Sequence, residues 1–193
     1  LSCKGIDKYE GNFLNDKFDR IGKYTWKDKS TYEGSFVKGD RTGEGILEYT
    51  NGDKFSGTWK SCSRHGKGTF YLKNGDKYDG NWVEDVLQAQ VKIRYKNGEW
   101  YEGEIKNEES LKRNGKGTFV YVNRDIYKGD WKNGQRNGFG EIDYVDGSRY
   151  EGHWKDNERD GEGVFISKDG ERSQGIWKND KIKGNTLLKK VHE

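Results

Sequence analysis

The residues able to do chemistry in this 193-residue chain recur by rule rather than gather at one place. Three glycine pairs raise the question of phosphate binding: Gly66-Lys67-Gly68, Gly115-Lys116-Gly117 and Gly161-Glu162-Gly163. None has the third glycine of a dinucleotide loop, and no Gly-x4-Gly-Lys-[Ser/Thr] occurs. A nucleotide loop sits once, at a strand-to-helix turn, whereas these pairs return along the whole chain, so they are read as structural. Glu10, Glu33, Asp79, Glu102 and Glu151 also share one repeated position. That is the pattern of a solvated face with cross-strand lysine partners, not of a paired acid and base. His65, His153 and His192 are scattered, and Cys3 and Cys62 are too few for a zinc site or a disulfide scaffold. No catalytic, cofactor-binding or metal-binding residue is expected, and hence no enzyme activity. Strand spacing of ~4.8 Å would set Cys3 and Cys62 roughly 19 Å apart, so two free thiols and a reducing, intracellular and cytoplasmic location are expected.

The elements that must position any site follow from composition. Lys and Arg number 36 against 33 Asp and Glu, a net charge of only +3, which is poor bait for nucleic acid. Seven Trp, 12 Tyr and 8 Phe supply the apolar area, while 28 Gly and the absence of Pro and Met argue against long helices. No stretch approaches the ~20 apolar residues of a membrane span, and the N-terminus lacks the apolar core of a signal peptide. The missing initiator Met reads as a fragment or a processed chain.

An internal repeat sets the organisation. Tyr9-Glu10-Gly11-Asn12-Phe13 returns as Tyr32-Glu33-Gly34-Ser35-Phe36, Phe55-Ser56-Gly57-Thr58-Trp59, Tyr78-Asp79-Gly80-Asn81-Trp82 and Tyr101-Glu102-Gly103-Glu104-Ile105. Tyr127-Lys128-Gly129-Asp130-Trp131, Tyr150-Glu151-Gly152-His153-Trp154 and a degenerate Ser173-Gln174-Gly175-Ile176-Trp177 complete it. The central glycines are 23 residues apart, except for 26 between Gly103 and Gly129. A Gly-x-Gly follows five of them, at Gly43/Gly45, Gly66/Gly68, Gly115/Gly117, Gly138/Gly140 and Gly161/Gly163, whereas Gln88-Ala89-Gln90-Val91 lacks both glycines. Then come apolar residues at period two such as Leu47 and Tyr49 or Ile142 and Tyr144, mostly closed by Asn-Gly or Asp-Gly, with Arg124 in place of one turn glycine. Each repeat therefore reads as a β-hairpin.

Parity predicts the register. A repeat of odd length shows the same face each time only if one of its two loops is even and the other odd. With the even loop after the Trp and a three-residue Gly loop before the next Tyr, Gly34 falls opposite Gly45, Gly45 opposite Gly57, and so on to Gly175. The result is a rib of glycine, interrupted at Val91. On one flank lie Tyr and its apolar partners; on the other, Phe36 and the Trp row are expected to alternate with small residues such as Gly43, Gly66 and Ala89.

These residues resemble the MORN repeat (membrane occupation and recognition nexus), roughly Tyr-x-Gly-x-Trp, a turn, Gly-x-Gly, an aromatic strand and a Gly turn. Residues 9–184 carry eight copies, with residues 1–8 and 185–193 as flanks; Thr186 to Glu193 form a possible short cap. The expected fold is all-β, an elongated single-layer antiparallel meander of tandem hairpins with a glycine-floored aromatic groove. Most of the stripe is core, yet one layer leaves part of it open to an extended or helical partner. Tyr32, Phe55, Trp59, Phe70, Tyr78, Trp82, Tyr101, Phe119, Tyr127, Trp131, Tyr150 and Trp154 are the candidate lining. On the back face, Trp100, Val120 and Ile126 fall on consecutive strands, beside the longer loop that carries Leu111, as a second candidate surface.

The family resemblance implies a non-catalytic scaffold for protein–protein interaction in a cytoskeletal assembly, ciliary or axonemal, with a peptide, helix or axonemal subunit as partner. End-to-end pairing of copies through the edge strands is a further possibility. Two other classes stay open: a phospholipid-binding peripheral module at an acidic membrane surface, resting on Lys181, Lys183, Lys189 and Lys190, and the targeting arm of an enzyme whose catalytic domain lies elsewhere.

Overall fold

The computed structural model describes residues 6–190, with side chains from Lys8 to Lys183. Every regular element among the described residues is a strand. Two compact units divide the chain between Lys96 and Asn97. The first holds β1 (Ile6–Leu14), β2 (Lys17–Trp26), β3 (Thr31–Val37), β4 (Asp40–Glu48), β5 (Lys54–Lys60), β6 (Ser63–Tyr71), β7 (Lys77–Val83) and β8 (Val86–Arg94). The second holds β9 (Trp100–Ile105), β10 (Arg113–Val120), β11 (Ile126–Lys132), β12 (Gln135–Asp143), β13 (Arg149–Lys155), β14 (Glu158–Ile166), β15 (Glu171–Lys178) and β16 (Lys181–Lys190). Strands follow in sequence order, and within each unit every strand is antiparallel to the next, the hairpin meander of the all-β expectation.

Two kinds of turn alternate, and their lengths have the parity the 23-residue period requires. The tight turns have two residues of positive φ, as at Asn133 (50°) and Gly134 (89°) or Asp156 (49°) and Asn157 (74°). That geometry matches the twist of the flanking strands. The others enclose three residues: Tyr49 N donates to Asp53 O (2.9 Å) and Gly52 N to Tyr49 O (3.0 Å), while Asn51 Oδ1 accepts from Asp53 N (2.9 Å).

The glycine rib forms as expected. Gly34 pairs with Gly45, Gly45 with Gly57, Gly57 with Gly68 and Gly68 with Gly80. In the second unit Gly117 lies between Gly103 and Gly129, and the series runs on through Gly140, Gly152, Gly163 and Gly175. Beyond the rib the expected pairing holds across the three-residue loops, where Gly43 pairs with Trp59, Gly66 with Trp82 and Gly138 with Trp154, and fails within the hairpins. Phe36 pairs with Arg41, not with Gly43, because a bulge after the rib glycine shifts the register by two. Gly43 (φ 68°) sits in that bulge, in a region few other residues adopt.

The rib is bare because a ring lies on it. A Cβ added at Gly45 would strike the Tyr32 hydroxyl, one at Gly117 would strike Tyr101, and one at Gly140 would strike Tyr127. Each Tyr hydroxyl then reaches past the glycine and donates to the carbonyl three residues on: Tyr101 to Glu104 (2.6 Å), Tyr127 to Asp130 (3.0 Å), Tyr150 to His153 (3.1 Å). The ring also stands edge-on between two indoles, as Tyr127 does between Trp131 (5.0 Å) and Trp154 (5.4 Å). Tyr32, Tyr101, Tyr127 and Tyr150 are fully buried in this way.

Two expectations about the ends are corrected. β16 pairs with β15 as far as Lys190, opposite Glu171, so residues 185–190 continue the last hairpin and Thr186 to Lys190 are not a separate cap. Residues 191–193 lie outside the described residues. Cys62 is disulfide-bonded, which overturns its reading as a free thiol. Cys3, the other cysteine of the chain, lies outside the described residues. The 19 Å estimate counted strand spacings, and these constrain a residue only within a strand, whereas β1 begins at Ile6. The argument for a reducing compartment loses its basis.

Gly140→Ala should therefore lower stability by about 1–3 kcal/mol, because the new methyl group and the Tyr127 ring compete for one space. Urea denaturation reads the effect; a midpoint equal to that of the wild type would contradict the ring-on-rib packing.

Candidate functional site

All twelve residues expected to line an aromatic groove are buried, from Tyr32 and Phe55 at 0% exposure to Phe70 at 9%. They are core, and of the twelve Trp154 lines the clefts described below. What closes over them is a row of arginines on the second strand of the hairpins: Arg41, Arg64, Arg113, Arg136 and Arg159. The bulge brings each opposite the Trp-row residue, as in Trp59↔Arg64, Trp131↔Arg136 and Trp154↔Arg159. Each guanidinium then stacks on aromatic rings. Arg136 lies 4.1 Å from the Trp154 ring, Arg159 4.1 Å from Trp177, and Arg113 4.4 Å from Trp131.

The same arginines tie successive hairpins together. Arg136 Nη2 donates to Asn157 O (2.6 Å), and Asn157 N donates back to Arg136 O (3.1 Å). Arg64 with Asp85, Arg113 with Gly134 and Arg159 with Asp180 repeat this reciprocal pair. Arg41 with Cys62 does so too. The partner's side chain separates the five. Asp85 and Asp180 add carboxylates to Arg64 Nε (3.1 Å) and Arg159 Nε (3.0 Å); Asn157 and Gly134 bring none.

The fourth repeat solves the packing differently. Leu87 stands where five other hairpins have Arg, and it pairs with Trp82. Its Cδ1 and the buried Val91 cover Gly80, the place a Tyr ring takes elsewhere. Tyr78 instead stacks on Phe70 (5.2 Å, 7° between planes). Trp59, Trp131, Trp154 and Trp177 donate Nε1–H to a rib glycine carbonyl, whereas Trp82 Nε1 is buried without a hydrogen-bond partner.

Above the core, the tyrosines two residues beyond the strand-two apolar position are half-exposed: Tyr49, Tyr95, Tyr121 and Tyr144. In the second unit Tyr121 and Tyr144 open a cleft of about 420 Å³ with Arg136, Trp154, Arg159 and Asp180. Burial holds the phenols of Tyr121 and Tyr144 above their usual range, against the lowering charge of nearby arginines, so both stay protonated donors. A larger cleft of about 650 Å³ lies along Lys132, Asn137, His153, Lys155 and Asp160. Its groups are engaged within the chain: His153 Nδ1 meets Glu162 O (3.1 Å) and Asp160 pairs with Lys178 (2.8 Å). No group of three His, Cys, Asp or Glu is placed to hold a metal ion among the described residues.

On the back face, Val120 pairs with Trp100 on one side and Ile126 on the other, and all three are half-buried, while Tyr101 is buried on the opposite face. Leu111, also half-buried, sits at φ 47° in the loop closed by Leu111 N donating to Asn107 O (3.0 Å). The arginine row is what sequence reasoning missed. Its signal was present, since 41, 64, 136 and 159 keep the 23-residue step and 113 absorbs the three extra residues.

A profile of the MORN repeat matches residues 9–31, 32–54, 55–77, 112–126, 127–149 and 150–172. The chain belongs to the MORN-repeat family. Of the eight MORN repeats expected from the sequence six are matched; the fourth, where Leu87, Ala89 and Val91 depart from the pattern, and the degenerate eighth, beyond residue 172, are not, and the fifth is matched only from residue 112. No curated protein matches the sequence. Among solved structures, the TCP domain of Drosophila melanogaster SAS-4 (dCPAP), in complex with a proline-rich motif of Ana2 (dSTIL), has a TM-score of 0.55. It is 13% identical, and the match covers 89% of this chain and 90% of that one. The likeness is one of fold. The wild-type TCP10 domain of Danio rerio CPAP is 14% identical with a TM-score of 0.36, over 93% of this chain and 86% of that one.

The hairpin ties carry a pH dependence. Burial raises the Asp85 carboxyl, but the backbone and side-chain donors of Arg64 outweigh it and leave the pKa below the ordinary value. A depressed folded pKa gives stability that is present above about pH 4 and lost as pH falls through the folded value. Asp85→Asn should be less stable than wild type at pH 7, with the gap closing below about pH 4. A gap unchanged between pH 7 and pH 3 would contradict the tie. Val91→Gly should open a buried cavity and cost about 2 kcal/mol, read by the same denaturation.

Proposed function

We propose that this MORN-repeat chain is a non-catalytic scaffold that binds another protein, and that the cleft at Tyr121, Tyr144 and Arg136 is where an extended segment of the partner docks. The observation that carries the reading is the division of the aromatics into two tiers. The lower tier is spent on the core, while Tyr121 and Tyr144 stay partly exposed beside stacked guanidiniums. Half-exposed tyrosine and arginine are the residue types that dominate binding surfaces. The complex of the SAS-4 domain with a proline-rich motif supports a peptide as the partner. A cytoskeletal setting, ciliary or axonemal, rests on the family resemblance. Trp100, Val120 and Ile126, neighbours on three consecutive strands, form the second surface of the proposal. An acidic membrane surface is the competing occupant.

A photo-crosslinking amino acid placed at Tyr144 should yield discrete protein adducts in an extract, while the same group at exposed Glu102 should not. Equal adduct patterns at the two positions would refute the cleft as the docking site. Sedimentation with anionic vesicles that weakens as salt rises, without adducts at position 144, would favour the membrane reading.

A further inference from the structure

Resting on the protein-binding reading above, we infer that the cleft selects a partner segment carrying a glutamate or aspartate, whose carboxylate pairs with Arg136 between Tyr121 and Tyr144. The five arginines of the row share one backbone tie but not one charge environment. Arg64 and Arg159 each hold a carboxylate of their own chain, Asp85 and Asp180, at Nε. At Arg136 the equivalent residue is Asn157, whose Oδ1 accepts from the Arg136 backbone N (3.0 Å). Arg136 Nε is buried without a hydrogen-bond partner, and Arg136 makes no ion pair among the described residues. This cation lines an open cleft rather than a closed core.

The other carboxylates of the cleft are already committed. Asp125 accepts from Val145 N (2.9 Å) and from Asn123 Nδ2 (2.9 Å), and Asp180 holds Arg159. Nη2 is spent on Asn157 O and Nε is buried, so Nη1, which has no acceptor among the described residues, is the donor this indole-stacked guanidinium offers to an external carboxylate in the cleft. Tyr121 and Tyr144, both protonated, supply hydroxyl donors and ring faces beside it.

Strand spacing defines the backbone that would deliver the carboxylate. Tyr121 follows β10 and Tyr144 follows β12, two strands and so about 9.6 Å apart. A polyproline II helix repeats every three residues, over about 9.3 Å. A segment crossing the strands in that conformation therefore returns the same face to successive hairpins. Addition of a β-strand is closed here, because β10 pairs with β9 and β11 and β12 with β11 and β13. The occupant is thus an acidic segment in polyproline II conformation, with proline or another apolar residue three positions from the acid.

The test uses two synthetic peptides, acetyl-Pro-Pro-Pro-Glu-Pro-Pro-Pro-amide and its Gln counterpart, titrated into the full chain by NMR. The Glu peptide should bind about tenfold more tightly than the Gln peptide. Asn157→Asp gives Arg136 the internal carboxylate that Arg64 and Arg159 already have, at a turn position where Asp85 and Asp180 show Asp is accommodated. It should fold normally and abolish the preference, as should Arg136→Gln. Equal binding of the two peptides would overturn the carboxylate subsite and leave peptide docking standing. Binding of neither would overturn the subsite and the extended peptide together, whatever the crosslinking at Tyr144 shows. Wild-type chain that sediments with phosphatidylinositol 4,5-bisphosphate vesicles and ignores both peptides would assign the cleft to phosphate and overturn the inference.

Discussion

A strip of backbone with no side chains, wide enough for an aromatic ring to lie across it, is the constraint on which the rest of this fold depends. A sheet that is one layer thick has no second layer to bury its apolar face. Here the sheet's own backbone is the surface that the rings cover. Tyr127 spans Gly129 and Gly140, and its hydroxyl satisfies the carbonyl of Asp130 at the far side. The burial of a large ring and the hydrogen bond of its polar tip are thereby met by residues of a single hairpin. The price is a sequence with 28 glycines, each giving up backbone freedom on folding.

The arginines supply the missing second layer. Stacked over indole and tied to the next turn, Arg113, Arg136 and Arg159 cover the rings from above and connect neighbouring repeats in one gesture. Since each tie joins only adjacent hairpins, stability is distributed repeat by repeat. That distribution allows local exceptions. The fourth repeat replaces the cation with Leu87 and gives up one indole hydrogen bond, without disturbing the pairing of its strands. It also allows the arginines to differ: Arg64 and Arg159 each have an aspartate of their own, whereas Arg136 has an asparagine at that position.

Much of this was legible in advance. Parity and the 23-residue period placed every rib glycine opposite its partner, and the three-residue Asn-Gly loops followed from the same reasoning. Across the three-residue loops the reasoning held past the rib, as at Gly43 and Trp59, but within the hairpins it failed there because it assumed one constant register. A bulge at Gly43, and its counterparts at Gly66, Gly115, Gly138 and Gly161, moves the pairing by two, so Phe36 faces Arg41. The first glycine of Gly-x-Gly is thus there for its backbone angle and the second for its bare surface, two causes that one motif conceals. With the arginines misplaced, the aromatic stripe looked open when its rings are buried, and the half-exposed Tyr121 and Tyr144 above it were passed over. The cysteine expectation failed for a related reason, since strand spacing was applied to a residue that precedes the first strand.

Ring-current shifts of the glycine α-protons test the central claim most directly. Protons held against the face of an aromatic ring resonate well upfield of their ordinary position. The packing predicts upfield α-protons at Gly45, Gly117, Gly140 and Gly163, each beneath a tyrosine ring, and ordinary shifts at Gly175, which Ile182 covers instead. Ordinary shifts at the four rib glycines, or an upfield shift at Gly175 equal to theirs, would contradict the account.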